Sequence, residues 1–333
     1  MSQAQRPRSK SRLALLLSFF LLSESSVIRG QEIKDVPAPD AGPTIYHNLP
    51  LEPARRSDLE EAIKSRNFQR AESLLVEEVQ RNPKSSQLLT LLGGIFFQDG
   101  QYLNSAIAIK KAEAINPLDD NSRFTLAMAY IVLNHRDWAR PELEKLAQNN
   151  SNNALYPYWL SRLDYDGHQY KAAIAKLETV VKLDSSFMRA YDNLGLAYEA
   201  LGNQDEAIRN YLEAIRLNRL KSLQSPWPSL NLGAVLLKQG KADESEPHLR
   251  EALEYDPRLA KAHYQSGLLL EKQGKDDEAI RQLTEAASLD PAYAEPHYAL
   301  GRIYQRKGDA QKAGDALETF QKLKKEKREE PAR

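Results

Sequence analysis

NLGLAYEALGNQDEAIRNYLEAIRLN, residues 193–218, decides the fold. Its apolar residues recur at helical spacing on either side of a break at Gly202-Asn203, which reads as two helices joined by a tight turn. Gly195 in the first half and Ala207 in the second stand twelve residues apart, one small side chain per helix, so the two helices can approach closely while larger neighbours fill the flanks. Both small positions recur along the chain. The first gives Gly93, Ala127, Ser161, Gly195, Gly233, Gly267 and Gly301, at intervals of 34, 34, 34, 38, 34 and 34, and Leu59 extends the series by one more 34. The second gives Ala71, Ser105, Ala139, Ala173, Ala207, Ser245, Ala279 and Ala313. From residue 55 onward no β-type alternation interrupts the helical periodicity, so the body is all helix.

The stretch resembles the tetratricopeptide repeat family at Leu194, Gly195, Tyr198, Gly202, Ala207, Tyr211 and Ala214. NLGAVLLKQG from Asn231, SGLLLEKQGKDDEAI from Ser266 and ALGRIYQRKGDAQKA from Ala299 repeat the pattern, and a helix-ending proline recurs as Pro83, Pro117, Pro257 and Pro291. The resemblance covers residues 52–327. It implies an all-α, right-handed α-solenoid of about eight helix-turn-helix repeats, near 52–85, 86–119, 120–153, 154–187, 188–221, 226–259, 260–293 and 294–327. Ser151, Ser185 and Arg219 replace the proline, Asp164 takes a usual large apolar position, and the first unit has Asp58-Leu59 for the Leu-Gly pair. The 38-residue interval places four extra residues within NRLKSLQSPWPS, either offsetting the flanking hairpins or lengthening their connection.

Outside the array, Arg6, Arg8, Lys10 and Arg12 precede the apolar run LALLLSFFLL (13–22), the order of an export signal, and ten residues are too few to span a bilayer. Residues 1–30 are expected to be a signal peptide, with an uncleaved anchor as the alternative, and the protein is expected in the periplasm or secreted. Residues 31–54 carry Pro37, Pro39, Pro43, Pro50 and Pro53 without an apolar period and read as a flexible tether to a solenoid over 55–327; residues 328–333 are a polar tail. Lys plus Arg and Asp plus Glu number 46 each, so no net field draws the chain to nucleic acid or an anionic membrane. Removing residues 1–30 takes away five basic and one acidic side chain, leaving a net charge of −4.

Chemistry finds little support. Cysteine is absent, which removes thiol nucleophiles, thiolate metal sites and disulfides. The six histidines show no metal-binding spacing, the glycines form no phosphate loop, and acidic pairs such as Asp276-Asp277 sit where a helix N-terminus favours negative charge. No catalytic residue, cofactor or metal is expected.

What remains is surface. The family's first helices line a concave groove, and carrying those positions over gives Phe97, Phe124, Tyr158, Arg162, Tyr165, Trp227, Lys261, Tyr264, Tyr298, Arg302 and Arg306, flanked by Met128, Ile131, Arg189, Asp192, Leu237, Lys238, Leu268 and Glu271. Aromatic and arginine side chains supply contact area and bidentate carboxylate recognition at protein interfaces, although each ring could instead pack between repeats. Some relatives grip a C-terminal carboxylate with Lys and Asn; here Asn231 and Lys261 match, but Asp192, Leu196 and Gln265 stand at the other positions, so that clamp is not expected. The resemblance implies a non-enzymatic scaffold or adaptor holding a protein or peptide segment. The alternatives are a substrate-docking subunit of an envelope enzyme complex and a glycan- or polymer-binding protein.

Overall fold

The computed structural model describes residues 49–329; the expected export signal and most of the expected tether lie outside them. Within the described residues there are sixteen helices and no strand: α1 (Pro53–Lys64), α2 (Phe68–Arg81), α3 (Ser86–Gln98), α4 (Tyr102–Glu113), α5 (Asp120–Val132), α6 (Arg136–Asn149), α7 (Leu155–Asp166), α8 (Tyr170–Leu183), α9 (Met188–Ala200), α10 (Gln204–Leu220), α11 (Trp227–Lys238), α12 (Ala242–Tyr255), α13 (Ala260–Lys272), α14 (Asp276–Leu289), α15 (Ala294–Arg306) and α16 (Ala310–Glu329). Consecutive helices pair into eight hairpins, and each second helix also packs on the first helix of the next. First helices of successive hairpins touch one another along much of the array while second helices make no comparable contact, so first helices form the inner layer of a curved solenoid.

The small positions explain the pairing. A methyl group built on Gly195 would lie 2.3 Å from Cε1 of Tyr211; on Gly233, Gly267 and Gly301 it would lie 2.6, 2.6 and 2.8 Å from Leu249, Leu283 and Leu317; on Gly93, 2.5 Å from Ile109. The partner is always sixteen residues on, one large side chain of the second helix pressed into the gap in the first. The second small series, from Ala71 to Ala313, is buried throughout. Ser245 donates from Oγ to the Gly233 carbonyl at 2.7 Å, a bond across the same crossing.

The turns repeat as closely. Residues 66, 100, 134, 168, 202, 240, 274 and 308 all have positive φ, and the next residue donates its N–H five residues back in every hairpin, as in Gln101 to Phe96 at 2.8 Å and Lys275 to Leu270 at 2.9 Å. This 6→1 bond closes a helix whose last carbonyls would otherwise be orphaned. Five of the eight are Gly; Asn134 tolerates the left-handed region, whereas Arg66 and His168 carry a steric cost of about 1 kcal/mol or more each.

The departures from the repeat have local causes. Asp164 is 1% exposed and accepts from Arg140 at 2.7 Å and Lys176 at 2.6 Å, so a pair of cations takes over from apolar packing. The first unit does form, with Leu59 buried where the other hairpins have a small residue. Leu49 and Leu51, expected in the tether, are instead buried against it, their carbonyls held by Arg56 at 3.1 and 3.3 Å, and α1 begins at Pro53.

The four extra residues lengthen the connection. With Arg219 in place of proline, α10 runs on to Leu220, and residues 221–226 cross to α11 with Ser222 and Gln224 in the left-handed region. Asn218 is buried and clasps that loop, donating to the Ser225 carbonyl at 2.9 Å and accepting from the Ser225 N–H at 3.0 Å. Arg219 grips Glu251 of α12 with two bonds of 2.7 and 2.9 Å, and Ser229 of α11 adds a third at 2.7 Å.

Gly195→Ala forces a methyl into the Tyr211 ring. It should cost about 1–3 kcal/mol in urea unfolding despite the ~1 kcal/mol that alanine gains in a helix. Gly314→Ala, with open space around the new methyl, should stabilise by up to about 1 kcal/mol.

Candidate peptide-binding groove

The inner face is built from one stripe per first helix, and its two halves differ. Over α3, α5 and α7 the stripe is closed. Phe97, Phe124 and Tyr158 are 6%, 8% and 1% exposed and belong to one continuous core cluster, with Met128 and Ile131 beside them. Phe97 meets Tyr102 edge-on at 5.3 Å, Phe124 leans on Tyr156 at 5.8 Å, and Tyr158 packs between Trp159 at 5.7 Å and Phe187 at 5.0 Å. Arg162 is buried and donates to Asn193 of α9 at 3.0 Å, and Asn193 donates in turn to the Tyr158 hydroxyl at 3.2 Å. Phe124, Tyr158 and Arg162 bind one hairpin to the next while Phe97 packs on the second helix of its own, and in this packing the four offer a partner almost no surface.

Tyr165 marks the transition, half-buried and edge-on to Tyr170 at 5.3 Å. Beside it, burial pushes the Asp166 carboxyl above the usual aspartate range, against the pull of Arg162, Arg136 and His168; Arg136 lies 3.5 Å away. Asp166 also ends α7, where the helix dipole disfavours negative charge.

Over α11, α13 and α15 the stripe opens. Trp227 is half-buried with the exposed Lys261 ammonium 5.6 Å from its ring centre; Tyr264 is half-buried and edge-on to Tyr293 at 5.2 Å; Tyr298 is 46% exposed, with Arg302 5.6 Å from its ring and Phe320 at 5.2 Å. The arginines expected to await a partner's carboxylates already hold the chain's own. Arg302 lies 2.5 Å from Glu271, and Arg306 lies 3.3 Å from Glu271 and 2.7 Å from Asp276. Arg306 holds Asp276 below the usual aspartate range.

Two ties between hairpins were not legible in the residue types. Asn231 donates to Asp192 at 2.9 Å just as Asn193 does to Tyr158, so the asparagine that resembled part of a carboxylate clamp pins α11 to α9. At the C-terminal ends of α11, α13 and α15, Lys238, Lys272 and Arg306 each reach back one hairpin, to Glu199 at 3.7 Å, the Leu237 carbonyl at 2.6 Å and Glu271. The 34-residue register of these cations was the available signal; their acceptors, partly backbone, left none.

Among the described residues no cluster of three or more His, Asp or Glu side chains could hold a metal, and no helix is long and apolar enough to cross a membrane.

Tetratricopeptide repeat models match residues 60–120, 162–202, 188–220, 230–255, 270–308 and 294–327. No curated protein matches the chain. Among solved structures, a tetratricopeptide repeat protein from Parabacteroides merdae superposes with a TM-score of 0.62 at 16% identity, covering 78% of this chain and 99% of that one. Yeast Tom70 gives 0.58 at 18%, covering 83% and 62%, and the Cut9–Hcn1 hetero-tetramer of the APC/C gives 0.60 at 17%, covering 74% and 48%. The chain thus spans less than two thirds of the last two, and the likeness is one of fold.

Because the folded protein holds the Asp166 proton more tightly than the unfolded chain does, this group's contribution to stability is greatest below the unfolded carboxyl range near pH 4 and falls as pH rises through the raised folded value. Asp166→Asn should therefore raise the melting temperature at neutral pH and lose that advantage at about pH 3. Equal effects at both pH values would exclude a strained carboxylate.

Proposed function

This chain belongs to the tetratricopeptide repeat family, and on that footing we propose that it is an exported, non-enzymatic scaffold that holds a segment of another protein along the inner face of α11, α13 and α15. The observation that carries the reading is the opening of the groove. Three successive first helices leave Trp227, Lys261, Tyr264, Tyr298 and Arg302 at least partly accessible, whereas the equivalent stripe on α5 and α7 is sealed. Partly exposed aromatics with cations over their faces supply apolar contact and attract carboxylates together. The fitting partner is a segment presenting both apolar and acidic side chains. Its acidic groups would compete with Glu271 for Arg302 and Arg306, so part of the binding energy goes to exchanging one carboxylate for another. Export rests on the basic residues 6–12 and the apolar run 13–22.

The partner is sought by capture from the native envelope fraction and then measured with three variants. Tyr298→Ala should leave stability within about 0.5 kcal/mol and weaken capture by ~2 kcal/mol, with Lys261→Glu weakening it in the same way. Tyr158→Ala should instead cost about 3–5 kcal/mol of stability, as an emptied core site does. Undiminished capture by both groove variants would move recognition to another face. Intact mass of the exported protein should place its first residue between Ser26 and Gln31, and a mass retaining Met1 would overturn export by cleavage.

A further inference from the structure

The array supplies its own control for what the fold requires at each position, because the same place occurs eight times. On the outward side of the second helices, three large apolar residues stand where the other hairpins avoid them. Leu103 of α4 is 61% exposed, and the seven equivalent positions hold Gln, Asp or Lys. Ile107, one turn further on the same face, is 45% exposed, and its equivalents are Ser, Pro, Ala, Arg or Asp. Trp138, at the start of α6 in the next hairpin, is 51% exposed where the others hold Arg, Asn, Ala, Glu or Lys. His135 stacks on its ring at 4.1 Å and 9°, and Tyr130 meets it in a T-shaped contact at 5.5 Å, so the ring is held in place while half of the side chain stays exposed. Packing does not ask for these side chains, since seven hairpins fold without them.

Leu212 of α10 is a further exposed apolar residue of this kind, but Leu103, Ile107 and Trp138 fall together in the second and third hairpins, beside the end at which residues 1–48 enter the fold. That entering chain has already begun to dock: Leu49 and Leu51 are seated in the first hairpin's core, with Arg56 holding their carbonyls. We propose that the continuation of this contact, the proline-rich segment 31–48, lies as an extended polyproline strap across Leu103, Ile107 and Trp138. Pro37, Pro39 and Pro43, with Ile33, Val36, Ile45 and Tyr46, give it apolar matter, and proline fixes its backbone in advance, so little further entropy is lost on docking. Pro43 and Pro37 precede Leu49 by six and twelve residues, a reach of about 19 to 37 Å at ~3.1 Å per residue. Two hairpin steps at roughly 10 Å each fall within it. Tethering gives the segment an effective concentration of order millimolar at the patch, so even a weak apolar contact is occupied.

Lys34 provides the probe, as a trypsin site inside the segment. In the otherwise intact chain, Leu103→Gln with Trp138→Glu uses residue types that other hairpins carry at those places. The pair should speed trypsin cleavage after Lys34 at least tenfold and leave the melting temperature nearly unchanged. Replacing residues 33–46 by Gly and Ser at constant length should raise acrylamide quenching of tryptophan fluorescence, and Trp138→Glu should abolish that rise. Unchanged cleavage, or quenching indifferent to the segment, overturns the strap. So does protection of Lys34 that vanishes on dilution, which would mean docking between molecules.

Discussion

Everything in this fold depends on the crossing point of the hairpins, where, from the second hairpin on, a small residue on the first helix faces a large side chain sixteen residues on. At five hairpins the gap is a glycine whose missing methyl would lie within 2.8 Å of its partner, and the second small residue, twelve positions along, lets the other backbone come in beside it. The distance set there fixes how far apart the two helices stand. That in turn fixes how the second helix presents itself to the next hairpin. Because a single hairpin cannot cover its own apolar face, this local distance is propagated by stacking into the curvature of the whole array.

Curvature brings first helices together, and the chain uses that proximity differently along its length. In the middle, Phe124, Tyr158, Arg162 and Asn193 fill the contact and lock it. Toward the C-terminus the inner ties are made by cations and sit nearer the helix ends, with Lys238, Arg302 and Arg306 on carboxylates and Lys272 on a backbone carbonyl, and the aromatic rings are left standing at the surface. A groove with one sealed and one open half therefore arises from a single repeat by changing what fills the same few positions.

The helices, their pairing and the register were legible because they rest on spacing, and the two small-residue series carry the spacing twice. The closing turn was legible in part: Gly100, Gly202, Gly240, Gly274 and Gly308 keep the register, but nothing in Arg66 or His168 announces a left-handed backbone. Exposure was not legible at the groove. Tyr158 and Tyr298 occupy the same place in the repeat and share a residue type, yet one is buried and the other open. The difference lies in neighbours such as Phe187, brought in from the next hairpin's entry, and no single repeat contains that information. The seating of Leu49 and Leu51 was not legible, because a proline-rich composition says how a segment is built without saying where it rests.

The clasped loop at residues 221–226 acts on the array as a dislocation does on a lattice. Five hairpins lie before it and three after, and the regular junction is replaced there by Asn218, Arg219, Ser229 and Glu251. The inner layer runs through unbroken, since Asn231 still bonds to Asp192 across the fault. A periodic body with one defect has two coherent lengths instead of one. Strain applied to either end is then expected to gather at this boundary, where the two blocks can yield to each other while each keeps its internal period.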